Sequence, residues 1–69
     1  MTVQKAVDLR GEGPTVEAAV EEALDRATLT LEGITGFDVR RVKGRVENDG
    51  PRYVVEIRVW FTLLERFHE

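Results

Sequence analysis

Chemistry needs groups that attack, take up protons or hold charge, and this chain supplies them unevenly. It has no cysteine and no serine, and its one histidine, His68, is the penultimate residue. The usual nucleophile–base pairs therefore cannot be assembled within one chain. Threonines remain, but a hydroxyl without a base is a poor nucleophile. Thirteen Asp and Glu residues are present, most of them on the water-facing side of a helix, where solvation accounts for them. No catalytic residue is nominated, and an enzyme is not expected. Gly11-Glu12-Gly13 stands ahead of the helix as a phosphate-cradling turn would. The dinucleotide fingerprint needs a further glycine where Val16 stands, and the lysine of a phosphate loop is missing. A tight strand-to-helix turn explains the same residues.

Three other groups of residues invite a chemical reading. Glu47-Asn48-Asp49-Gly50 offers oxygen ligands to a hard cation such as Ca²⁺, but lacks the alternating ligands and distal glutamate of an EF-hand. A polar hairpin tip is the simpler use, and no metal is expected. Arg40, Arg41, Lys43, Arg45, Arg52 and Arg58 crowd one region and would attract phosphate. Glu47, Asp49 and Glu56 lie among them, so cross-strand ion pairs are the better reading. A net charge of −3 also speaks against a general nucleic-acid binder. Trp60 is the most suggestive single residue. A large aromatic on an outward strand face is an interface anchor or a stacking platform for a flat ligand.

The elements that position these groups follow from periodicity. Val16, Ala19, Val20, Ala23, Ala27, Leu31 and Ile34 recur at three- and four-residue steps, predicting one amphipathic helix over 14–33. Pro14 suits its first turn, Gly13 or Thr15 its N-cap, and Gly33 its end. Thr2 to Leu9 alternates as a half-buried first strand, which Gly11 and Gly13 then break. Phe37 and Val39 share a face, but Val42 has the other parity. Either a β-bulge lies near Arg40, or the strand passes the helix end and its exposure inverts. Glu47 to Pro51 reads as a hairpin turn. In the last strand Tyr53, Val55, Ile57, Val59 and Phe61 form one face, and Val54, Glu56, Arg58 and Trp60 the other.

The result is an α+β fold, β-α-β-β, with a three-stranded antiparallel sheet wrapped on one helix in a single domain over 1–69. The expected helix covers about 29 Å, whereas a last strand of about twelve residues extends ~40 Å. Val42, Val46, Val54 and Trp60 are expected on the face turned away from the helix. With Arg58 they form a candidate assembly or stacking surface. A chain of 69 residues buries only ~60% of its unfolded surface, and with no disulfide available self-association is the remaining stabiliser. No apolar run is long enough to span a bilayer, and no secretory segment is evident, so a cytoplasmic location without membrane attachment is expected.

Taken in order, several of these residues resemble the dodecins. The likeness includes Gly11 after the first strand, Ala18-Ala19, Leu24-Asp25-Arg26-Ala27 and Thr30-Leu31. It continues through Phe37-Asp38-Val39, Val42, Gly44, Tyr53, Val55, Val59 and Phe61, so it spans nearly the whole chain. The resemblance implies a small bacterial or archaeal protein of β-α-β-β fold that assembles into a hollow homododecamer. In flavin-binding members it further implies flavin pairs stacked between tryptophans and touched by a glutamine, for storage or sequestration. The family's tryptophan position falls here on Gly36 and its glutamine position on Val54. Glycine offers no ring, and valine cannot hydrogen-bond an isoalloxazine edge. Trp60 is six residues from Val54, ~20 Å along the strand, and would line a different pocket. The expectation is a dodecin-like homododecameric shell that holds a small molecule or ion without the usual flavin site. The alternative is a riboflavin or FMN store with a rearranged site built on Trp60. An enzyme or nucleic-acid-binding subunit is a third alternative, for which the sequence offers no residues.

Overall fold

The computed structural model describes residues 2–64, with the side chains of residues 4–62 placed; His68 lies outside the described residues. The order is β1 (Thr2–Gly13), α1 (Val16–Thr30), β2 (Ile34–Glu47) and β3 (Gly50–Leu64). The strands form one antiparallel sheet in the order β1-β3-β2. The long last strand is therefore central, and its two partners are edges.

The helix is shorter than periodicity suggests. Thr15 is the N-cap, in extended backbone, and its Oγ1 accepts the Ala18 N–H at 3.0 Å. This satisfies one of the amides that the first helical turn leaves orphaned. Leu31 caps the other end, donating its N–H to the Ala27 carbonyl. Leu31 and Ile34 still pack on the core, but from beyond the helix. Gly33 turns the chain at φ +70 and its carbonyl accepts the Thr62 N–H, docking the connection onto β3.

Gly11 and Gly13 do not break the first strand. They pair with Val55 and Tyr53, so β1 runs on to the turn before the helix. Their purpose is proximity. A Cβ on Gly11 would stand 2.1 Å from the Ala19 carbonyl oxygen and 2.8 Å from the Ala23 nitrogen, and one on Gly13 would crowd Ala18 and Ala19. Ala19, Ala23 and Ala27, all fully buried, complete the contact from the helix side. Small residues on both elements let the helix lie almost on the backbone of β1. Val55, Ile57 and Val59 form the buried floor, with Val7, Leu9, Val20 and Leu24 packed around them.

The register shifts once between Ile34 and Gly36 and again between Val39 and Arg41. The second shift is the bulge at Arg40, and it settles the parity of β2. Phe37 pairs with Val59, Val39 with Ile57, and beyond the bulge Val42 pairs with Val55. Directly opposed residues point to the same side of a sheet. Val42 and Val46 therefore sit on the helix side, not on the far face where the sequence pattern put them. The extra residue restores the alternation that the bare sequence interrupts. Val54 and Trp60 do lie on the far face.

The helix rests on β1 and β3 and scarcely reaches β2. A 15-residue helix spans about 22 Å, while the subunit is 60 Å long. Phe37, Val39, Val42 and Val46 are consequently exposed on the helix-side face, Val46 at 94%. Leu29 projects from the helix at 82% exposure. At the hairpin tip Asn48 and Asp49 make the loop, and Gly50 takes φ +125.

Gly11→Ala tests the close approach. It is expected to lower the stability of the folded subunit by at least about 1–3 kcal/mol, the usual cost of overpacking. Gly44→Ala, whose new methyl meets only the Tyr53 ring at 3.7 Å, is the control and is expected to be tolerated. Denaturant melts of both variants decide the matter, and equal midpoints would contradict the packing argument.

Candidate functional site

On the far face the cross-strand pairs line up as rows across all three strands. Asp8, Arg58 and Asp38 form one row, and Arg10, Glu56 and Arg41 the next. Each central residue stands between two of opposite sign, the arrangement that favours cross-strand ion pairing. The Arg58 guanidinium forks onto Asp8, its Nε donating to Oδ1 at 2.8 Å and Nη2 to Oδ2 at 3.2 Å. Arg10 meets Glu56 at 3.8 Å. Further toward the tip, Glu12 is flanked by Arg45 and Arg52, and Arg45 also reaches Glu47. Arg45, Arg52 and Arg58 of the basic cluster are thus answered by carboxylates within the subunit. Glu47, one of the oxygen donors considered for a cation, is engaged in the same way. Among the described residues no three His, Cys, Asp or Glu side chains converge into a metal-sized cluster.

The row beyond the charges has a different character. Trp60 is paired with Ala6 on β1 and with Gly36 on β2. Two of the smallest residues flank the largest, leaving room for an indole on the sheet surface. Trp60 Nε1 donates to Asp38 Oδ2 at 3.1 Å, one step diagonally along β2. Asp38 opposes Arg58 in the register, yet the guanidinium forks to Asp8 on the other side, and the Asp38 carboxylate takes the indole N–H. A Cβ on Gly36 would meet nothing within 4 Å. Gly36 therefore floors an open bay of about 480 Å³, lined also by Gln4, Thr35, Phe37, Asp38 and Trp60. That volume lies within the range of small-molecule sites. The Gln4 amide nitrogen lies 3.5 Å from Thr35 Oγ1, and that hydroxyl lies 3.4 Å from the Trp60 carbonyl. A second hollow, of about 360 Å³, lies over the charged rows beside Arg10, Arg40 and Arg58.

The candidate residues fare differently. Gly36 and Trp60 are brought together as direct cross-strand partners. Val54 is not: it lies between Glu12 and Lys43, six positions along β3 from Trp60. Trp60 is therefore far from Val54, as its strand spacing predicts, but immediately beside Gly36. The expectation that it lines a separate pocket from Gly36 is corrected by the register. Arg58 belongs to the neighbouring charged row, and Val42 is on the opposite face of the sheet. The contribution of Asp38 was missed, although its alternation with Phe37 and Val39 already placed it on the outer face. Gln4 and Thr35 were missed too, because their proximity depends on the first register shift.

Two carboxylates titrate below their ordinary range. Asp8 is lowered from 3.8, chiefly by its hydrogen bonds from Arg58, and the same contact raises Arg58. Glu22 on the helix is lowered because it accepts the Glu12 backbone N–H at 2.7 Å, with Arg26 adding to the effect. That bond ties the helix to the end of β1.

A three-stranded antiparallel sheet curled on one short helix, with an open aromatic bay on its far face, is a small α+β module of β-α-β-β order. The chain belongs to the dodecin family, whose model matches residues 3–64. Among solved structures, an arginine-to-alanine variant of the Thermus thermophilus dodecin is 35% identical with a TM-score of 0.86, covering 96% of this chain and 100% of that one. The Streptomyces davaonensis dodecin is 27% identical at a TM-score of 0.83, covering 93% and 97%. That of Streptomyces coelicolor is 28% identical, also at 0.83, covering 94% and 96%. The comparison with curated proteins finds no match.

The Asp8–Arg58 contact has a readable pH signature. A carboxylate whose folded pKa is depressed contributes stability above its unfolded pKa and loses it as pH falls through the folded value. The stability of the natural chain is expected to exceed that of Asp8→Asn at neutral pH, modestly because the pair is exposed. The difference should shrink as pH drops below about 4. A difference that holds constant down to about pH 3 would contradict the assignment.

Proposed function

We infer that this chain is a self-assembling, non-catalytic binding protein that holds a flat small molecule against Trp60. The shell is the homododecamer expected of a dodecin, and the uncovered helix-side surface of β2 supplies its apolar contacts. Phe37, Val39 and Val42 are too exposed for a subunit with so small a core, and a second copy is the natural cover. The observation that carries the ligand reading is the pairing of Gly36 with Trp60. The position where the resemblance places a stacking ring holds glycine, and the one indole of the chain stands directly across from it. The ring is displaced by one strand rather than lost.

A second reading, a riboflavin or FMN store with a rearranged site, is favoured by Gln4. Its amide lines the same bay and can donate and accept at an isoalloxazine edge. Val54, at the family's glutamine position, offers no such group.

Native mass spectrometry of the intact particle tests the proposal. The expected result is a mass many times that of one subunit, carrying an aromatic small molecule that Trp60→Ala loses while the shell persists. A yellow particle with flavin bound selects the second reading. A monomer, or a molecule retained undiminished by Trp60→Ala, would refute the proposal.

A further inference from the structure

The bay at Gly36 has a charge of its own. Among its described lining residues only Asp38 is ionisable. The cation nearest in register is Arg58, and its fork is spent on Asp8 at 2.8 and 3.2 Å. Among the described residues the hydrogen-bond donor to Asp38 is neutral, the Trp60 indole N–H at 3.1 Å, and Arg58 acts on its charge only through space. The same bond fixes the indole beside the bay. An indole face attracts cations through its quadrupole, and a carboxylate at its edge adds an attraction of the same sign. A phosphate would meet the carboxylate and find no basic side chain among the described lining residues.

We propose that the bay selects a flat heteroaromatic ring carrying a positive charge, of the protonated or N-alkylated aza-arene class, over a neutral ring of the same size and over one bearing a phosphate. The proposal rests on the reading of Trp60 as the ring platform. Asp38 is the specificity-determining residue, acting on the charge of the ligand, while Trp60 acts on its flatness.

Trp60 is the only tryptophan in the chain, so its fluorescence reports on this site alone. The intact assembly is titrated with three tricyclic probes: proflavine, which is cationic, lumichrome, which is neutral, and FMN, which is phosphorylated. Proflavine is expected to bind about tenfold more tightly than lumichrome, in line with a cation–π contact reinforced by a carboxylate, and FMN more weakly than either. Asp38→Asn keeps an oxygen to accept the indole N–H and removes the charge. It is expected to abolish the preference for proflavine, read as the ratio of the proflavine and lumichrome affinities. Equal binding of all three probes, tighter binding of FMN, or a preference that survives Asp38→Asn would overturn the charge selection and leave the ring platform standing. If none of the probes quenches Trp60, the platform itself fails and the selection fails with it.

Discussion

The rest of the structure depends on how closely α1 approaches β1. Helices and sheets normally pack through interlocking side chains; here Gly11, Gly13 and an alanine stripe bring the two backbones almost into contact. That closeness fixes the helix over β1 and β3 and leaves it unable to shelter β2. A larger residue at Gly11 would lift the helix and open the buried floor of Val55, Ile57 and Val59. The narrow core is thus the cause of the wide uncovered face. A subunit 60 Å long and 12 Å thick has little interior to stabilise it, and the apolar surface it exposes is what an assembly would bury.

The two faces of the sheet divide the work. The helix side carries the core and, past the helix, the apolar strip of β2. The outer side carries rows of alternating charge that end at an aromatic step, where Ala6 and Gly36 make space around Trp60. Arg58 links the two parts of the outer face: by turning to Asp8 it leaves Asp38 to hold the indole. Membership of the dodecin family explains the architecture, and this arrangement is how the present sequence equips that architecture with a ring.

Much of this could be read from the sequence, and the gaps have physical causes. The alternation from Tyr53 to Phe61 placed the central strand and its buried face correctly, because strict period-two patterning admits one orientation. The bulge near Arg40 was one of two options left open by the parity break at Val42, and only the pairing with β3 decides between them. Choosing the face for Val42 and Val46 without that register sent both to the wrong side. The same dependence hid the meeting of Gly36 with Trp60, since the bulge between Val39 and Arg41 must be placed before the register sets these two residues opposite each other. The role of Gly11 was misread as a break because a glycine that admits a helix and a glycine that turns the chain look alike in sequence.

The central claim is that another copy of the chain covers the helix-side surface of β2. The chain has no native cysteine, so Val42→Cys places a single thiol on that surface, and its rate of maleimide labelling in the native protein can be compared with the rate in denaturant. The account predicts strong protection in the native particle. Labelling at the rate of the unfolded chain, in a particle shown to be assembled, would contradict it.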